Sequence, residues 1–186
     1  MARLPYVIPE KAPPPVQETF AQLATPLNVF KMMAHAETNF RPLVRLGSSI
    51  LAQQKLSAKL RELAVLRVTS LSGCRYEWVQ HVSIALLMGA TRLQVDAIEK
   101  SDIHAECFDA VERRVLDFAT EVVRDGRCSP RTFSSLREHL SPREIVELLV
   151  AIGYYLMVGR LVETLEVEVE APSEQVANQA RKWRPT

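Results

Sequence analysis

Three side chains that could do chemistry lie close together in the sequence: the thiol of Cys74, the carboxylate of Glu77 and the imidazole of His81. They are spaced three and four residues apart, and on a helix those offsets place side chains along one face. Glu77 can orient the imidazole and favour its protonated form. Cys74 begins the helix, where unpaired N–H groups and the helix dipole favour a thiolate. The spacing therefore predicts a ridge in which His81 acts as a general acid or base.

A fourth candidate, Glu62, lies twelve residues before Cys74 on the preceding helix. A tight helix–Gly–helix turn at Gly73 would bring its carboxylate back against the ridge. Its neighbours along the chain are largely apolar, and a carboxylate in such surroundings costs free energy unless it finds a partner. We therefore predict a proton relay between Glu62 and His81.

Tyr76 and Trp78 flank Glu77 and are candidates for the wall of a substrate pocket. Each of these residues also has a simpler interpretation. A buried cysteine is usually a small apolar side chain, and the two aromatic residues could pack in a core or an interface. A Glu–His pair at helical spacing is often a solvated surface pair. Only the joint pattern predicts a catalytic site, and its members are Glu62, Cys74, Glu77 and His81.

Helical periodicity runs through most of the chain and defines the elements that must position these residues. A capping box with proline at the first helical position, Ser141-Pro142-Arg143-Glu144, marks the start of the last long helix. No segment with a pairing partner alternates with period two, so we predict an all-α protein. The expected helices span residues 16–23, 28–35, 37–53, 57–71, 75–88, 91–100, 108–124, 129–140 and 141–165.

The first fifteen residues contain five prolines, which remove the backbone donors that a helix needs. We predict an extended arm here, either a disordered terminus or an arm that packs on a neighbouring subunit through Leu4, Tyr6 and Ile8. The expected organisation is a Pro-rich arm at 1–15, one helical domain at 16–170 and a C-terminal tail at 171–186.

Composition narrows the class of protein. The chain of 186 residues is long enough for one domain with a real core. Its net charge of +1 gives no electrostatic reason to expect binding to nucleic acid or to an anionic membrane. Three widely spaced cysteines without a CxxC argue against a disulfide framework or a zinc ribbon. No apolar run has the length of a signal peptide or a membrane span, so we predict a cytoplasmic protein.

Residues 57–90, SAKLRELAVLRVTSLSGCRYEWVQHVSIALLMGA, resemble the core motif of the carboxymuconolactone decarboxylase / AhpD-like superfamily. In that motif a Glu is followed by a Cys, then a His, then a Gly that closes the helix. Here these are Glu62, Cys74, His81 and Gly89. The resemblance extends over roughly residues 37–170. It implies an AhpD-like helical fold, catalytic residues at these positions and a homo-oligomer, either a trimer or hexamer or a dimer.

The chain departs from the peroxidase branch of the superfamily at Glu77. That branch, typified by AhpD, uses a CxxC pair as a dithiol–disulfide couple, and Glu77 occupies the second cysteine position. One thiol cannot form an intramolecular disulfide. The decarboxylase branch needs no dithiol. Resemblance to it implies a lyase without metal or organic cofactor, which acts on a small cyclic or lactone carboxylic acid and uses His81 as proton donor.

Two other functions stay open at this point. One is a thiol-dependent (hydro)peroxidase or reductase that uses Cys74. The other is a non-catalytic helical assembly protein in which Glu77 and His81 form a structural ion pair. The segments 86–88 and 154–157 are apolar on all sides of their helices, which favours contact with another copy of the chain.

Overall fold

The computed structural model describes residues 1–170, and the tail predicted for 171–186 lies outside the described residues. Within this part of the chain there are nine α-helices, one short 3₁₀ turn and no strand, which confirms the all-α class. The helices are α1 (Pro14–Ala21), α2 (Asn28–Met33), α3 (Glu37–Ala52), α4 (Ala58–Ser72), α5 (Arg75–Leu87), α6 (Arg92–Glu99), α7 (Ala110–Asp125), α8 (Pro130–Arg137) and α9 (Pro142–Thr164).

The helices that carry the candidate site begin and end at identifiable residues. Ser141 accepts a hydrogen bond from Glu144 N, and the Glu144 side chain bonds the Ser141 N–H, so the predicted capping box opens α9. Gly73 adopts a left-handed conformation, with φ of 66°, and ends α4. That conformation strains other residues and reverses the chain within one residue, so α5 folds back against α4.

α4 is the central helix and packs on α5, α7 and α9. All nine residues from 61 to 69 are buried, so this stretch has no side that faces solvent. Glu62 and two arginines, Arg61 and Arg67, are thereby enclosed with the apolar residues. Because a buried charge is costly unless it is paired, each of the three must find a partner inside the protein.

Two apolar clusters share α4. The larger contains Val65 and Val68 and joins α4 to α1, α2, α3 and α9. The smaller contains Leu63 and Leu66 and joins α4 to α5, α6 and α7. α5 contributes to both clusters, so its two sides face different parts of the core. This arrangement decides which of its side chains can reach the candidate site.

The N-terminal arm packs on its own chain. Arg3 N donates to Leu165 O at 2.9 Å, and His35 Nε2 lies 2.7 Å from Pro5 O. A 3₁₀ turn at Pro9–Lys11 interrupts the extended path, and α1 begins at Pro14, two residues before the predicted start. Proline is tolerated in the first turn of a helix, which explains the earlier start. The structure therefore offers a third alternative to disorder and to packing on a neighbouring subunit.

One face of α9 carries exposed apolar side chains at Val146, Leu149, Val150 and Met157. By length and composition α9 could also cross a membrane, since an 18-residue window has a mean hydropathy of 1.8. Half of that window is buried in the protein, as in core helices generally, so this indication is weak. The homo-oligomer stays a prediction, and the exposed face of α9 is a surface that it could cover.

Two glycines allow a direct test of how closely α3 and α9 approach. A Cβ at Gly47 would lie 2.5 Å from Tyr154 Oη, whereas a Cβ at Gly153 would meet nothing within 4 Å. We expect Gly47→Ala to displace Tyr154 and to lower the free energy of unfolding by about 1–3 kcal/mol. The matched variant Gly153→Ala should raise it by up to about 1 kcal/mol, because alanine is the better helix former. Urea unfolding measures both; equal stabilities would contradict this packing.

Candidate functional site

The predicted contact between Glu62 and His81 is present. His81 Nδ1 donates to Glu62 Oε2 at 2.7 Å, and both side chains are buried, with Glu62 fully inaccessible. The turn at Gly73 makes this contact possible, because it sets α5 antiparallel to α4. The structure thus brings together two residues that are nineteen positions apart in the sequence.

The second ring nitrogen of His81 faces another carboxylate. His81 Nε2 lies 3.4 Å from Glu77 Oε2, one helical turn earlier on α5. This distance is longer than an ordinary N–H···O hydrogen bond, so the contact is a close ion pair. With a carboxylate on each side, the doubly protonated imidazolium is the form that satisfies both neighbours.

Arg61 completes the buried charge cluster. Its Nε donates to Glu62 Oε1 at 2.9 Å and its Nη1 donates to Ile50 O at 3.3 Å. Its Nη2 has no hydrogen-bond partner within residues 1–170. Glu62 is therefore held between a guanidinium and an imidazole, which fixes both of its oxygens. No sequence pattern marked Arg61 as part of the site, because arginine on a helix is usually exposed.

Opposing effects set the pKa values in this cluster. Burial alone would lower the pKa of His81. The Glu62 carboxylate, with a smaller contribution from Glu77, outweighs this effect and raises the pKa to about 9. Burial alone would raise the pKa of Glu62, yet the charges of His81 and Arg61 and their hydrogen bonds lower it below 4.5. At neutral pH His81 is therefore protonated and Glu62 ionised.

These shifts predict a specific pH dependence of stability. The pKa of His81 is higher in the folded protein than its ordinary 6.5, so its stabilising contribution is fully present below that pH and is lost as the pH rises through 9. Between about pH 6 and 8.5 we expect this contribution to fall by about 2 kcal/mol. Urea unfolding of the wild type and of His81→Asn measures it as the difference between the two profiles. Parallel profiles would contradict the assignment.

A cavity of about 110 Å³ lies beside this cluster, between α5, α9 and the segment 23–51. Among residues 1–170, Glu77 and His81 are the only charged residues that line it, and no lysine or arginine does so. Most of the wall is apolar or aromatic, and the uncharged polar groups come from a few hydroxyl and amide side chains. The lining residues are Leu23, Leu27, Val29, Phe30, Met33, Val44, Gly47, Ser48, Leu51, Tyr76, Glu77, Gln80, His81, Ile84, Tyr154, Tyr155 and Val158.

Cys74 does not join Glu77 and His81 on the cavity wall, which corrects the predicted ridge. Cys74 is the N-cap residue of α5 and has extended backbone angles, so the helical offset of three to Glu77 does not apply to its side chain. It is 1% exposed and packs against Gly159 of α9.

Burial raises the pKa of the Cys74 thiol to about 12, and the carboxylates of Glu77 and Glu163 add to the effect. The thiolate predicted from the helix dipole is therefore disfavoured. A hydrogen bond from the Glu77 backbone N–H lowers the pKa but does not outweigh the burial.

The two aromatic residues predicted for the pocket wall, Tyr76 and Trp78, lie in different parts of the protein. Tyr76 lines the cavity; its hydroxyl donates to Glu170 Oε2 at 2.9 Å and accepts a hydrogen bond from Val29 N. Trp78 packs against the smaller apolar cluster and does not line the cavity. The two positions differ by about 200° around a helix, so they cannot share a face.

Sequence reasoning missed the aromatic wall that α9 supplies. The ring of Tyr155 meets the ring of His81 edge to face, with centroids 4.4 Å apart. Tyr154 lies beside it and donates from its hydroxyl to Leu43 O. The spacing of Tyr155 from the buried residues Leu148 and Ile152 was the available signal, because it places Tyr155 on the core-facing side of α9.

The sequence pattern described as the carboxymuconolactone decarboxylase family matches residues 38–121. This segment includes α4, α5 and all four residues predicted as catalytic. Residues 38–121 therefore match this family, which confirms the resemblance predicted from the motif around Glu62, Cys74 and His81. No curated protein is significantly similar to the chain.

Several solved structures share the fold. An AhpD-core, peroxidase-related protein from Ralstonia eutropha JMP134 is 21% identical, with a TM-score of 0.78 over 97% of this chain and 96% of that one. A peroxidase-related protein from Silicibacter sp. TM1040 is 20% identical, with a TM-score of 0.78 over 91% and 92%. The debrominase Bmp8, solved with 2,3,4-tribromopyrrole, is 18% identical, with a TM-score of 0.75 over 98% of each chain. The fold is therefore AhpD-like.

Proposed function

We propose that this protein is a cofactor-independent lyase of the carboxymuconolactone decarboxylase type, which acts on a small cyclic or lactone carboxylic acid by proton transfer. One observation carries the proposal: His81 lies between two carboxylates at the edge of an apolar cavity, with its pKa raised to about 9. Such an imidazolium is a proton donor throughout the neutral range. The family match of residues 38–121 supports the same class.

The reaction balances with the residues at hand. The bond between the ring carbon and the substrate carboxylate breaks, CO₂ leaves, and the electron pair enters a conjugated dienolate. His81 Nε2–H then gives its proton to a carbon of this dienolate and becomes neutral. Water in contact with Glu77 returns the proton, so each turnover consumes one proton and releases one CO₂. Glu62 accepts a hydrogen bond from Nδ1 throughout and keeps the ring oriented.

The residues that line the cavity favour the loss of CO₂ from a bound carboxylic acid. No lysine or arginine of the described residues 1–170 lines the cavity, so within this part of the chain a substrate carboxylate would find only His81 as a cation. A localised carboxylate is poorly stabilised against apolar groups, whereas the charge of a dienolate is spread over several atoms. Loss of CO₂ therefore relieves an unfavourable contact.

The size of the cavity supports a single-ring substrate. Its volume is about 110 Å³, comparable with engineered cavities of about 150 Å³ that hold benzene. The debrominase of the same fold was solved with a five-membered ring compound, 2,3,4-tribromopyrrole. A lactone ring belongs to the same range of sizes.

The direct test is turnover of 4-carboxymuconolactone by the purified protein in deuterated water. We expect release of CO₂ and incorporation of one deuterium into the product at a carbon of the former dienolate, either the carbon that lost the carboxylate or the carbon next to the lactone carbonyl. The same product without deuterium would contradict proton delivery from an exchangeable group. Failure to release CO₂ from this and related lactone acids would favour the non-catalytic alternative.

Thiol chemistry at Cys74 makes a different prediction. The thiol is buried and its pKa is raised to about 12, so we expect it not to form a sulfenic acid when the folded protein meets peroxide. Cys107 and Cys128 are only partly buried and serve as internal controls. Mass spectrometry after trapping with dimedone measures all three. Faster labelling of Cys74 than of the controls would support the peroxidase alternative.

A further inference from the structure

The hydroxyl of Tyr155 differs from those of the other tyrosines. Tyr6, Tyr76 and Tyr154 all form hydrogen bonds through their hydroxyl oxygens. Within residues 1–170 no group is hydrogen-bonded to the hydroxyl of Tyr155, although the residue is only 4% exposed and lines the cavity. The oxygen is not among the enclosed, unpaired side-chain atoms of residues 1–170, so it stays accessible and can form a hydrogen bond with a ligand atom in the cavity.

Tyr155 is also placed next to the proton donor. Its ring meets that of His81 at an interplanar angle of 78°, with centroids 4.4 Å apart, and both side chains line the same cavity. A substrate that receives a proton from His81 in this cavity therefore lies close to Tyr155. Tyr154, its neighbour on α9, cannot take this role without giving up its bond to Leu43 O.

We propose that Tyr155 is a second catalytic residue, whose hydroxyl donates a hydrogen bond to the substrate oxygen on which negative charge develops. This inference rests on the proposed function and specifies its substrate: the ring carries a carbonyl or lactone oxygen conjugated to the carbon that is protonated. The O–H bond of Tyr155 stays intact. His81 supplies the proton to carbon, and Tyr155 stabilises the dienolate that precedes this transfer.

The surroundings keep Tyr155 in the form that the proposal needs. Burial raises the pKa of Tyr155 well above its ordinary value, and the carboxylates of Glu62 and Glu77 raise it further. The hydroxyl therefore retains its proton and acts as a donor. A donor fixed in place by the packing of its own ring costs little reorganisation when charge develops beside it.

The first test is the kinetics of Tyr155→Phe with 4-carboxymuconolactone. We expect kcat to fall by about 10²–10³-fold while KM changes by less than about threefold, because the bond forms with developing charge and not with the neutral oxygen. Tyr6→Phe removes a hydroxyl that accepts an exposed hydrogen bond from Glu168 N, and it is the control for loss of a tyrosine hydroxyl outside the cavity. A change in KM alone would overturn the proposal, since it would indicate simple packing.

A second test does not depend on turnover. 4-Nitrophenol carries the charge of an enolate when it binds as its anion, and its visible absorbance reports that form. We expect the wild type and Tyr6→Phe to bind the anion, and Tyr155→Phe to bind it at least about tenfold more weakly. Absence of binding to the wild type, or equal binding to Tyr155→Phe, would overturn the proposal. If neither 4-carboxymuconolactone nor related lactone acids release CO₂, the proposed function fails, whereas this measurement still decides the role of Tyr155.

Discussion

His81→Asn is expected to lower kcat for 4-carboxymuconolactone by about 10²–10⁴-fold, the range for loss of a general acid. Asparagine can still donate to Glu62 from the position of Nδ1, so the buried carboxylate keeps one partner. It has no group at the position of Nε2, which faces Glu77. The expected loss therefore falls on proton delivery more than on folding. Steady-state release of CO₂ measures it.

His104→Asn is the matched control for that experiment. His104 also pairs with an acidic residue, Asp117 at 3.3 Å, but it is exposed and lies outside the cavity. Its replacement should leave kcat within about twofold of the wild type, because exposed pairs contribute little. Circular dichroism and urea unfolding establish that both variants are folded. If folded His81→Asn retains wild-type kcat, His81 is not the proton donor.

Glu62→Gln is expected to produce the largest loss of stability, about 3–5 kcal/mol. The substitution keeps the shape of the side chain but removes its charge, which leaves Arg61 buried without a counter-ion. It also removes the main cause of the raised pKa of His81. Urea unfolding at neutral pH measures the change in free energy of unfolding.

Two comparisons make this result specific. Glu166→Gln removes an exposed ion pair with Arg3 and should change the free energy of unfolding by less than about 1 kcal/mol. The double variant Arg61→Met/Glu62→Met replaces both buried charges with apolar groups and should recover part of the stability while turnover stays low. A Glu62→Gln protein as stable as Glu166→Gln would show that the buried cluster is not a structural necessity.

Local sequence signals predicted the helices and the charged part of the site, which consists of Glu62, Glu77 and His81. Gly73 could be identified as a chain reversal, and the offset of four between Glu77 and His81 placed both side chains on one face of α5. The buried carboxylate of Glu62 then needed a partner, and the reversal brought His81 to it. These predictions depend on the geometry of a helix and of a glycine turn, and both can be recognised from local residue types and spacing.

The sequence could not resolve the remaining site residues, because α4, α5 and α9 are buried on several sides. Their apolar residues do not define one inward face, so periodicity could not show that Trp78 and Tyr155 face different clusters. Cys74 illustrates a different limit. The predicted helix already began at residue 75, but the helical offset of three to Glu77 was applied to Cys74, whose extended backbone angles at the N-cap give its side chain a different direction.

The proposed proton transfer depends most directly on the protonation state of His81. NMR titration of ¹⁵N-labelled histidine measures it, with His81→Asn used to assign its signals among the four histidines. We expect both ring nitrogens of His81 to carry protons at neutral pH and the ring to titrate near pH 9. An imidazole that is neutral at pH 7 and titrates at or below pH 6.5 would contradict the proposed function, because the site would then lack its proton donor.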